Sequence, residues 1–199
     1  MDGLTPENSK DEVRAAVIRR RRAMSANEHQ SEAFDIQRHL SEIGRFGEGQ
    51  AVTTVCAYLP IGTEPGAQAM LDALLNLGLR VLLPVTRADQ PLFWGDYRPD
   101  ALVDAAFGLR EPAAPHLEPA AIRLAQLVLI PALAVDRSGI RLGRGAGFYD
   151  RSLHLAAPDA RLVAVVRDEE LVPHLPAEAH DVPMTHALTP GAGLVALGA

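Results

Sequence analysis

The spacing of apolar residues near the N-terminus is helical. Two segments carry apolar residues every three to four positions, which predicts helices over 10–24 and 28–43. Ser25 and Glu28 have the spacing of a capping box, so the second helix is expected to begin beside them. The glycine-rich stretch 44–49 is expected to end it.

The rest of the chain alternates between apolar runs and short amphipathic segments. The β-branched and aliphatic runs predict strands, and the segments between them predict two more helices. The predicted strands are 51–59, 79–85, 127–135, 161–167, 186–189 and 194–197, and the predicted helices are 66–77 and 147–156. Residues 91–97 are expected to form a short strand or a ligand-facing loop, and the proline-rich stretch 98–122 is expected to be irregular.

Regular alternation of strands and helices is typical of a largely parallel sheet covered on both faces. We therefore expect an α/β fold, a three-layer sandwich with a mostly parallel central sheet flanked by helices. The length of 199 residues suits a single domain over 1–199, with residues 1–9 expected to be flexible. Ligands of such folds bind beyond the carboxyl ends of the strands, so the loop after the predicted strand 127–135 is the first candidate site.

Composition excludes several classes of protein. Hydrophobic residues make up 48% of the chain and charged residues 22%, which is the mixture of a globular protein and not of a disordered chain or a fibre. The single cysteine, Cys56, lies in an apolar run and is expected to pack in the core, in a reducing compartment. The longest nearly unbroken apolar run, 127–135, is too short to span a bilayer. We expect a cytoplasmic monomer with no membrane partner.

Charge is distributed unevenly along the chain. The net charge of −6 argues against a nucleic-acid partner, yet residues 10–22 hold six basic and two acidic side chains. A basic helix on an acidic body suits a small anionic ligand, and a solvated arginine-rich face is the structural alternative. Lys10 is the only lysine among many arginines, a placement that suits a compact charge at a phosphate.

Glycines and arginines alternate directly after the most apolar run. The residues of this glycine–arginine loop are Arg141, Gly143, Arg144, Gly145 and Gly147. Alternating glycines let backbone N–H groups approach phosphate oxygens, the N-terminus of the predicted helix adds a favourable dipole, and arginines bind phosphate oxygens in pairs. Asp150, one turn into that helix, is placed to hold Mg²⁺ on a nucleotide. Three glycines alone are also typical of a tight strand-to-helix turn, and the spacing matches neither a Walker loop nor a dinucleotide fingerprint.

Several segments together resemble one known family. Residues 130–151, IPALAVDRSGIRLGRGAGFYDR, resemble the glycine–arginine motif of the 5-formyltetrahydrofolate cyclo-ligases, also called methenyltetrahydrofolate synthetases. The other matching segments, in the family's order, are Lys10 with Arg14, YLPIGTE at 58–64, FGLREP at 107–112 and HDVPMTHALT around Asp181. The resemblance extends from residue 10 to residue 190.

The resemblance implies an ATP-dependent ligase with Mg²⁺ as cofactor and 5-formyltetrahydrofolate, polyglutamylated or not, as its substrate. It implies that phosphoryl transfer to the formyl oxygen and attack by N10 give 5,10-methenyltetrahydrofolate, ADP and phosphate. The implied catalytic residues are Lys10 and Arg144, and the implied metal ligands are Asp150 and Asp181. The residues implied to bind ATP are Lys10, Arg14, Arg141, Gly143, Arg144, Gly145, Ala146, Gly147, Phe148 and Tyr149. The residues implied to contact the folate are Tyr58, Glu64, Trp94 and Tyr149.

The chain departs from the family's pattern in two places. Ala146 stands where the family has glycine or lysine, which requires a negative φ there and removes any lysine contact to phosphate. Pro-Gly-Ala at 65–67 replaces the family's Val-x-Thr after the motif's glutamate, which leaves the shape of the substrate pocket open. Phe93, Trp94 and Tyr149 are candidate stacking walls for a flat pterin, and aromatic residues also serve as ordinary core.

Two other classes of function stay open on the sequence. A binding protein of the same fold would use the arginines at 19–22 for RNA, with an affinity that falls steeply as salt rises. A sugar-phosphate isomerase would hold a phosphate on the loop 143–147, without ATP or Mg²⁺, and would leave Asp150 without a role.

Overall fold

The computed structural model of the chain describes residues 9–40, 51–178 and 181–198, without the side chain of Phe107. The stretch predicted to end the second helix, 44–49, lies outside this part of the chain. The segment predicted to be flexible, 1–9, also lies outside it, apart from Ser9.

Three α-helices form where the apolar spacing predicts them. They are α1 (Lys10–Ala23), α2 (Ala26–Leu40) and α3 (Gln68–Asn76). Ser9 and Glu12 make a capping box at the start of α1. Ser25 and Glu28 make the same reciprocal pair at the start of α2, as their spacing predicts. Within the described residues, no helix combines the length and the apolar character needed to cross a membrane.

Twelve strands form three sheets in the described residues. The strands are β1 (Thr54–Cys56), β2 (Arg80–Val85), β3 (Phe93–Asp96), β4 (Leu102–Asp104), β5 (Arg110–Pro112), β6 (Leu127–Pro131), β7 (Ala134–Asp136), β8 (Arg141–Leu142), β9 (Arg161–Val165), β10 (Leu171–Val172), β11 (His186–Thr189) and β12 (Gly193–Ala196). The main sheet has the order β12-β11-β9-β6-β1-β2-β3. Its inner neighbours pair in parallel, whereas β12 and β3 pair antiparallel at the two edges. A small sheet has the order β10-β7-β8, and β4 pairs with β5.

Both faces of the main sheet are covered, in agreement with the predicted fold class. Side chains alternate along each strand, so that Leu129 of β6 faces one apolar layer and Ile130 faces the other. The first layer is covered by α2 and α3, and the second by 3₁₀ helices at Pro119–Leu124 and Leu153–Leu155. α1 packs instead on the small sheet, through Val13 and Val17.

The predicted strand 127–135 is two strands that belong to different sheets. β6 ends at Pro131, and β7 begins at Ala134 in the small sheet. Proline has no N–H to continue a ladder, which suits the departure at this point. The two pieces form one apolar run in the sequence because both are buried, and burial alone does not show a change of sheet.

The α-helix predicted for 147–156 does not form. Gly147 has a φ of +70°, outside the right-handed helical region, and turns lead from it into the 3₁₀ helix Leu153–Leu155. The Tyr149 carbonyl accepts the N–H groups of both Ser152 and Leu153, at 2.9 Å each. The helix dipole predicted beside the glycine–arginine loop is therefore absent.

Smaller differences lie elsewhere. β1 covers only three residues of the predicted strand 51–59. The stretch 98–122, predicted to be irregular, holds the β4–β5 pair and a 3₁₀ helix. β3 confirms the short strand within 91–97.

Asp136, at the end of β7, is fully buried and joins three segments. Its Oδ1 accepts the N–H groups of Ser138 at 2.9 Å and Ile140 at 3.0 Å. Its Oδ2 accepts the N–H of Leu175 at 2.8 Å. These contacts hold the turn between β7 and β8, and with it the entry to the glycine–arginine loop.

We expect Asp136→Asn to lower the free energy of unfolding by about 2–4 kcal/mol, because the amide NH₂ replaces an acceptor and leaves a buried N–H unpaired. Urea unfolding followed by circular dichroism measures this change. Asp159→Asn, at an exposed aspartate, is the matched control and should alter stability by no more than about 0.5 kcal/mol. Equal losses in the two variants would contradict the anchoring role of Asp136.

Candidate active site

A cavity of about 330 Å³ opens at the carboxyl ends of β1, β2 and β6, where a parallel sheet is expected to bind its ligand. The glycine–arginine loop forms one side of it. Most of its remaining wall is apolar, and the apolar side chains include Leu59, Ile61, Leu83, Pro84, Leu92, Leu109 and Phe148.

The loop residues 143–147 line the cavity with their backbone. None of the five backbone N–H groups donates a hydrogen bond to another part of the described chain. Gly145 and Gly147 have φ values of +98° and +70°, which residues with a side chain rarely adopt. Ala146 keeps the negative φ that its side chain requires, since Asp89 is the only non-glycine residue with positive φ in the described ranges. A loop with free N–H groups is suited to bind an oxyanion.

The two arginines of the loop have different environments. The Arg141 guanidinium is nearly buried, forms an ion pair with Asp150 and lies 5.7 Å from the ring of Tyr149. The Arg144 side chain is half exposed, and its Nε lies 3.1 Å from Oε1 of Glu64. Arg141 is therefore enclosed in the cavity wall, whereas the Arg144 side chain is open to solvent on one side.

Glu64 is a buried carboxylate at the cavity, only 7% exposed. Its Oε2 accepts the N–H of Ile61 at 3.1 Å, and its own N–H donates to the Ile61 carbonyl at 3.1 Å. Burial raises the pKa of Glu64, and the Ile61 N–H and the charges of Arg144 and Arg21 act in the opposite direction. The structure thus brings the glutamate of YLPIGTE beside the glycine–arginine loop.

Tyr58 and Tyr149 line the cavity close to this carboxylate. The Tyr58 hydroxyl donates to the Pro65 carbonyl at 2.7 Å, whereas the buried Tyr149 hydroxyl has no hydrogen-bond partner in the described part of the chain. Burial raises the pKa of both phenols, and the charge of Glu64 raises it further. Both hydroxyls therefore keep their protons at neutral pH.

The first residues of α1 lie beside the loop but outside the cavity lining. Arg14 Nε donates to the Gly143 carbonyl at 3.1 Å. Lys10 Nζ lies 3.0 Å from Oε1 of Glu178 and 3.1 Å from Oδ2 of Asp181. Burial lowers the pKa of Lys10, and its contacts with the two carboxylates outweigh this effect and raise it.

The two predicted metal ligands, Asp150 and Asp181, have separate partners. Asp150 lines the cavity and pairs with Arg141, while Asp181 accepts Lys10 and the N–H of Glu178. The described residues contain no group of three or more His, Cys, Asp or Glu side chains suited to a metal ion. A Mg²⁺ bound to a nucleotide needs only one or two protein carboxylates. Asp150 fits such an ion, and Asp181 lies outside the cavity lining.

Two of the predicted aromatic walls do not reach the cavity. Trp94 is fully buried in the second apolar layer, and Phe93 packs beneath the guanidinium of Arg87 at 3.5 Å. Neither lines the cavity, whereas Phe148 and Tyr149 do.

Arg21 and Glu111 also line the cavity, and neither is among the residues predicted for the site. Glu111 accepts the N–H and the hydroxyl of Thr86 at 2.8 and 2.7 Å, and its position in FGLREP is the signal that points to it. Arg21 follows Val13 and Val17 at intervals of four residues on the buried side of α1. That spacing distinguishes it from the exposed arginines around it.

Comparison with known proteins gives consistent matches over almost the whole chain. A sequence model of the 5-formyltetrahydrofolate cyclo-ligase family matches residues 6–190. A Mycolicibacterium smegmatis protein named 5-formyltetrahydrofolate cyclo-ligase is 54% identical over 194 residues, which cover 95% of this chain and 97% of the relative. An Escherichia coli protein of the same name is 29% identical over 178 residues, or 87% of this chain and 97% of the relative.

The fold also matches solved structures. The NMR structure of Aquifex aeolicus 5,10-methenyltetrahydrofolate synthetase aligns with a TM-score of 0.78 at 24% identity, and covers 94% of this chain and 92% of that one. At that identity the likeness concerns the fold alone. The family model and the relative at 54% identity carry the assignment, and the chain belongs to the 5-formyltetrahydrofolate cyclo-ligases, a family of ligases in folate metabolism.

Proposed function

We propose that this protein converts 5-formyltetrahydrofolate into 5,10-methenyltetrahydrofolate at the expense of ATP, releasing ADP and phosphate. One observation carries the proposal. The loop 143–147, with its unpaired N–H groups, borders a mostly apolar cavity that also contains the buried carboxylate of Glu64. The cavity therefore offers a phosphate site and a site for a flat, partly polar ring side by side.

The folate occupies the apolar part of the cavity. The pterin carries adjacent amino and ring N–H donors, which suit a carboxylate such as Glu64. Tyr149 also lines the cavity and contacts the same ring. Leu83, Leu92 and Phe148 supply the apolar surface that the ring buries.

The triphosphate of ATP occupies the glycine–arginine loop. The N–H groups of 143–147 bind phosphate oxygens, and Arg141 and Arg144 balance their charge. Lys10 and Arg14 stand beside the loop on α1 and contribute further positive charge. Asp150 would hold the Mg²⁺ that accompanies the nucleotide, an ion that neutralises charge on the β- and γ-phosphates.

The chemistry needs positioning more than it needs a protein nucleophile. The formyl oxygen at N5 attacks the γ-phosphorus, the bond from that phosphorus to the bridging oxygen breaks, and ADP leaves. N10 then attacks the activated formyl carbon and closes a five-membered ring. The carbon–oxygen bond breaks to release phosphate, N10 loses its proton, and the methenyl cation remains. A large part of the rate enhancement comes from positioning. The formyl oxygen, the γ-phosphorus and the leaving oxygen of ADP must be held in line, with N10 close to the formyl carbon.

Arg144 and Glu64 neutralise each other when no substrate is bound. Both groups have a role toward a ligand, Arg144 toward phosphate and Glu64 toward the pterin. Binding of ATP draws Arg144 away and leaves the carboxylate free for the folate. The ion pair therefore couples the two binding events.

The reaction is tested by mixing purified protein with 5-formyltetrahydrofolate, ATP and Mg²⁺ and following the near-ultraviolet absorbance of the methenyl product. We expect a rise that requires all three components. Asp150→Asn should lower the rate by about 100-fold or more, because it would remove a carboxylate ligand of the Mg²⁺ that neutralises charge on the phosphates. Asp159→Asn serves as the control and should retain the wild-type rate. A folded wild-type protein that gives no product rules out the proposed reaction.

Glu64→Gln should raise the KM for 5-formyltetrahydrofolate by about tenfold, since one charge-assisted hydrogen bond is lost, without raising the KM for ATP. The same substitution should stabilise the folded protein at neutral pH, although it weakens folate binding. Because burial raises the pKa of Glu64 in the folded state, this carboxyl contributes a loss of stability as pH rises through the carboxyl range, and the variant lacks that contribution. Urea unfolding of both proteins between about pH 4 and 8 measures this difference. A variant with an unchanged folate KM contradicts the role of Glu64.

A non-hydrolysable ATP analogue should strengthen binding of 5-formyltetrahydrofolate by about threefold or more, and the folate should strengthen binding of the analogue by the same factor. Titration calorimetry measures both affinities. In Arg144→Gln the two ligands should bind independently, because the ion pair that links their sites is absent. Coupling of wild-type size in that variant would show that the Arg144–Glu64 pair is not its origin.

A further inference from the structure

Arg167 is a buried arginine just beyond the end of β9, with 1% exposure, and it contacts three separate segments. Its Nε donates to Oε2 of Glu32 on α2 at 2.6 Å, and one terminal nitrogen donates to the Thr63 carbonyl at 3.2 Å. Its backbone N–H donates to Oε2 of Glu170 at 2.8 Å. Thr63 directly precedes Glu64, so Arg167 is bound to the turn that carries the cavity carboxylate.

Glu170 connects Arg167 with the cavity wall. It accepts Nε and a terminal nitrogen of Arg21, both at 2.7 Å, and it is itself 2% exposed. The same terminal nitrogen of Arg21 donates to the Ala132 carbonyl at 2.6 Å. Arg21 and Ala132 both line the cavity. The four side chains Glu32, Arg167, Glu170 and Arg21 form one network, which we call the buried charge network.

Stability alone gives a weak reason for this network. Desolvation of buried ion pairs often costs as much as their attraction returns, and apolar residues of the same volume stabilise equally well. One terminal nitrogen of Arg167 also lacks a hydrogen-bond partner in the described chain, which adds a cost. What the network does supply is a fixed attachment for the backbone on two sides of the cavity.

The turn that bears Glu64 needs such an attachment. It is closed by two hydrogen bonds between Ile61 and Glu64, and one of them uses the Glu64 carboxylate. When that carboxylate turns to a ligand, the turn loses the bond, whereas the bond from Arg167 to the Thr63 carbonyl is independent of it.

We propose that Arg167 is a positioning residue for folate binding, which holds the 61–64 turn through the Thr63 carbonyl and thereby sets the position of Glu64 in the cavity. The inference rests on the proposed function for the identity of the ligand. It adds a residue that contacts no substrate and acts through Glu64.

A double-mutant cycle tests this role. Wild type, Arg167→Lys, Glu64→Gln and the double variant are titrated with 5-formyltetrahydrofolate and, separately, with the ATP analogue in a calorimeter. Lysine keeps the charge but lacks the two separate donor nitrogens with which the guanidinium binds Glu32 and Thr63. We expect Arg167→Lys to weaken folate binding by about fivefold or more, the effect of losing one buried hydrogen bond, and to change analogue binding by no more than about twofold. In the Glu64→Gln background the same substitution should have little further effect on folate binding, since residues that act together are not additive.

Two further variants separate positioning from stability. Val163→Ala removes core volume from β9 without touching the network and should lower thermal stability with folate affinity unchanged. Glu32→Gln retains Arg167 but replaces its charged partner with a neutral amide, which weakens the contact that fixes the guanidinium. This variant should therefore weaken folate binding, as Arg167→Lys does. It provides the measurement if Arg167→Lys does not fold.

The outcomes distinguish this inference from the proposed reaction. Additive effects of Arg167→Lys and Glu64→Gln, or equal weakening of folate and analogue binding, overturn the positioning role while the reaction stands. Binding of 5-formyltetrahydrofolate without turnover overturns the reaction, and the cycle still decides the role of Arg167. Absence of folate binding to the folded wild type overturns both.

Discussion

The backbone leaves the main sheet at Pro131, and the cavity forms around that departure. β6 lies in the middle of the sheet, and its apolar run continues into β7, which pairs in a different sheet. The cavity opens beside this departure, at the carboxyl ends of β1, β2 and β6. Asp136 then binds the turn after β7 from inside the protein, so the glycine–arginine loop starts from a fixed point. A loop with unpaired N–H groups needs such a rigid origin, because flexible N–H groups would be solvated instead of directed at a ligand.

Charge around the cavity is almost entirely paired in the absence of ligands. Arg141 pairs with Asp150, Arg144 with Glu64, and Lys10 with Asp181. The first two pairs lie at the cavity, and in the proposed function each joins an arginine for phosphate with a carboxylate for a metal ion or a pterin. These buried and half-buried charges are therefore paired before any ligand arrives, and in the proposed binding mode ligands exchange with these partners. Such an exchange favours selectivity between ligands. A ligand that binds only one partner of an ion pair leaves the other partner, a carboxylate or an arginine, unpaired.

The sequence predicts the fold class and the location of the site at the carboxyl ends of the strands. Both predictions follow from the pattern of apolar residues, because its period distinguishes helices from strands and its continuity indicates burial. It does not predict the split of 127–135, since both halves are buried and a change of sheet leaves no mark in hydrophobicity. The absent helix at 147–156 has a different cause, a glycine at positive φ and turn bonds that compete with the helical ladder. The motifs place Glu64 and the glycine–arginine loop at the cavity. Trp94, predicted to contact the folate, lies in the core, and Arg21, within an arginine run that also suits a solvated face, lines the cavity. Residue type alone does not show these positions, because packing decides both.

α1 carries Lys10, Arg14 and Arg21 toward the glycine–arginine loop, its neighbouring carboxylates and the cavity wall. From Arg14 to Arg21 the helix makes almost two full turns and advances about 10 Å. The number of residues between the two arginines therefore fixes both the distance and the angle between them. Loss or gain of a single residue between the two arginines would rotate one of them by about 100° away from its partner. Among relatives of this chain, length should vary in the loops and at the ends of the molecule, and the interval between these two arginines should stay constant.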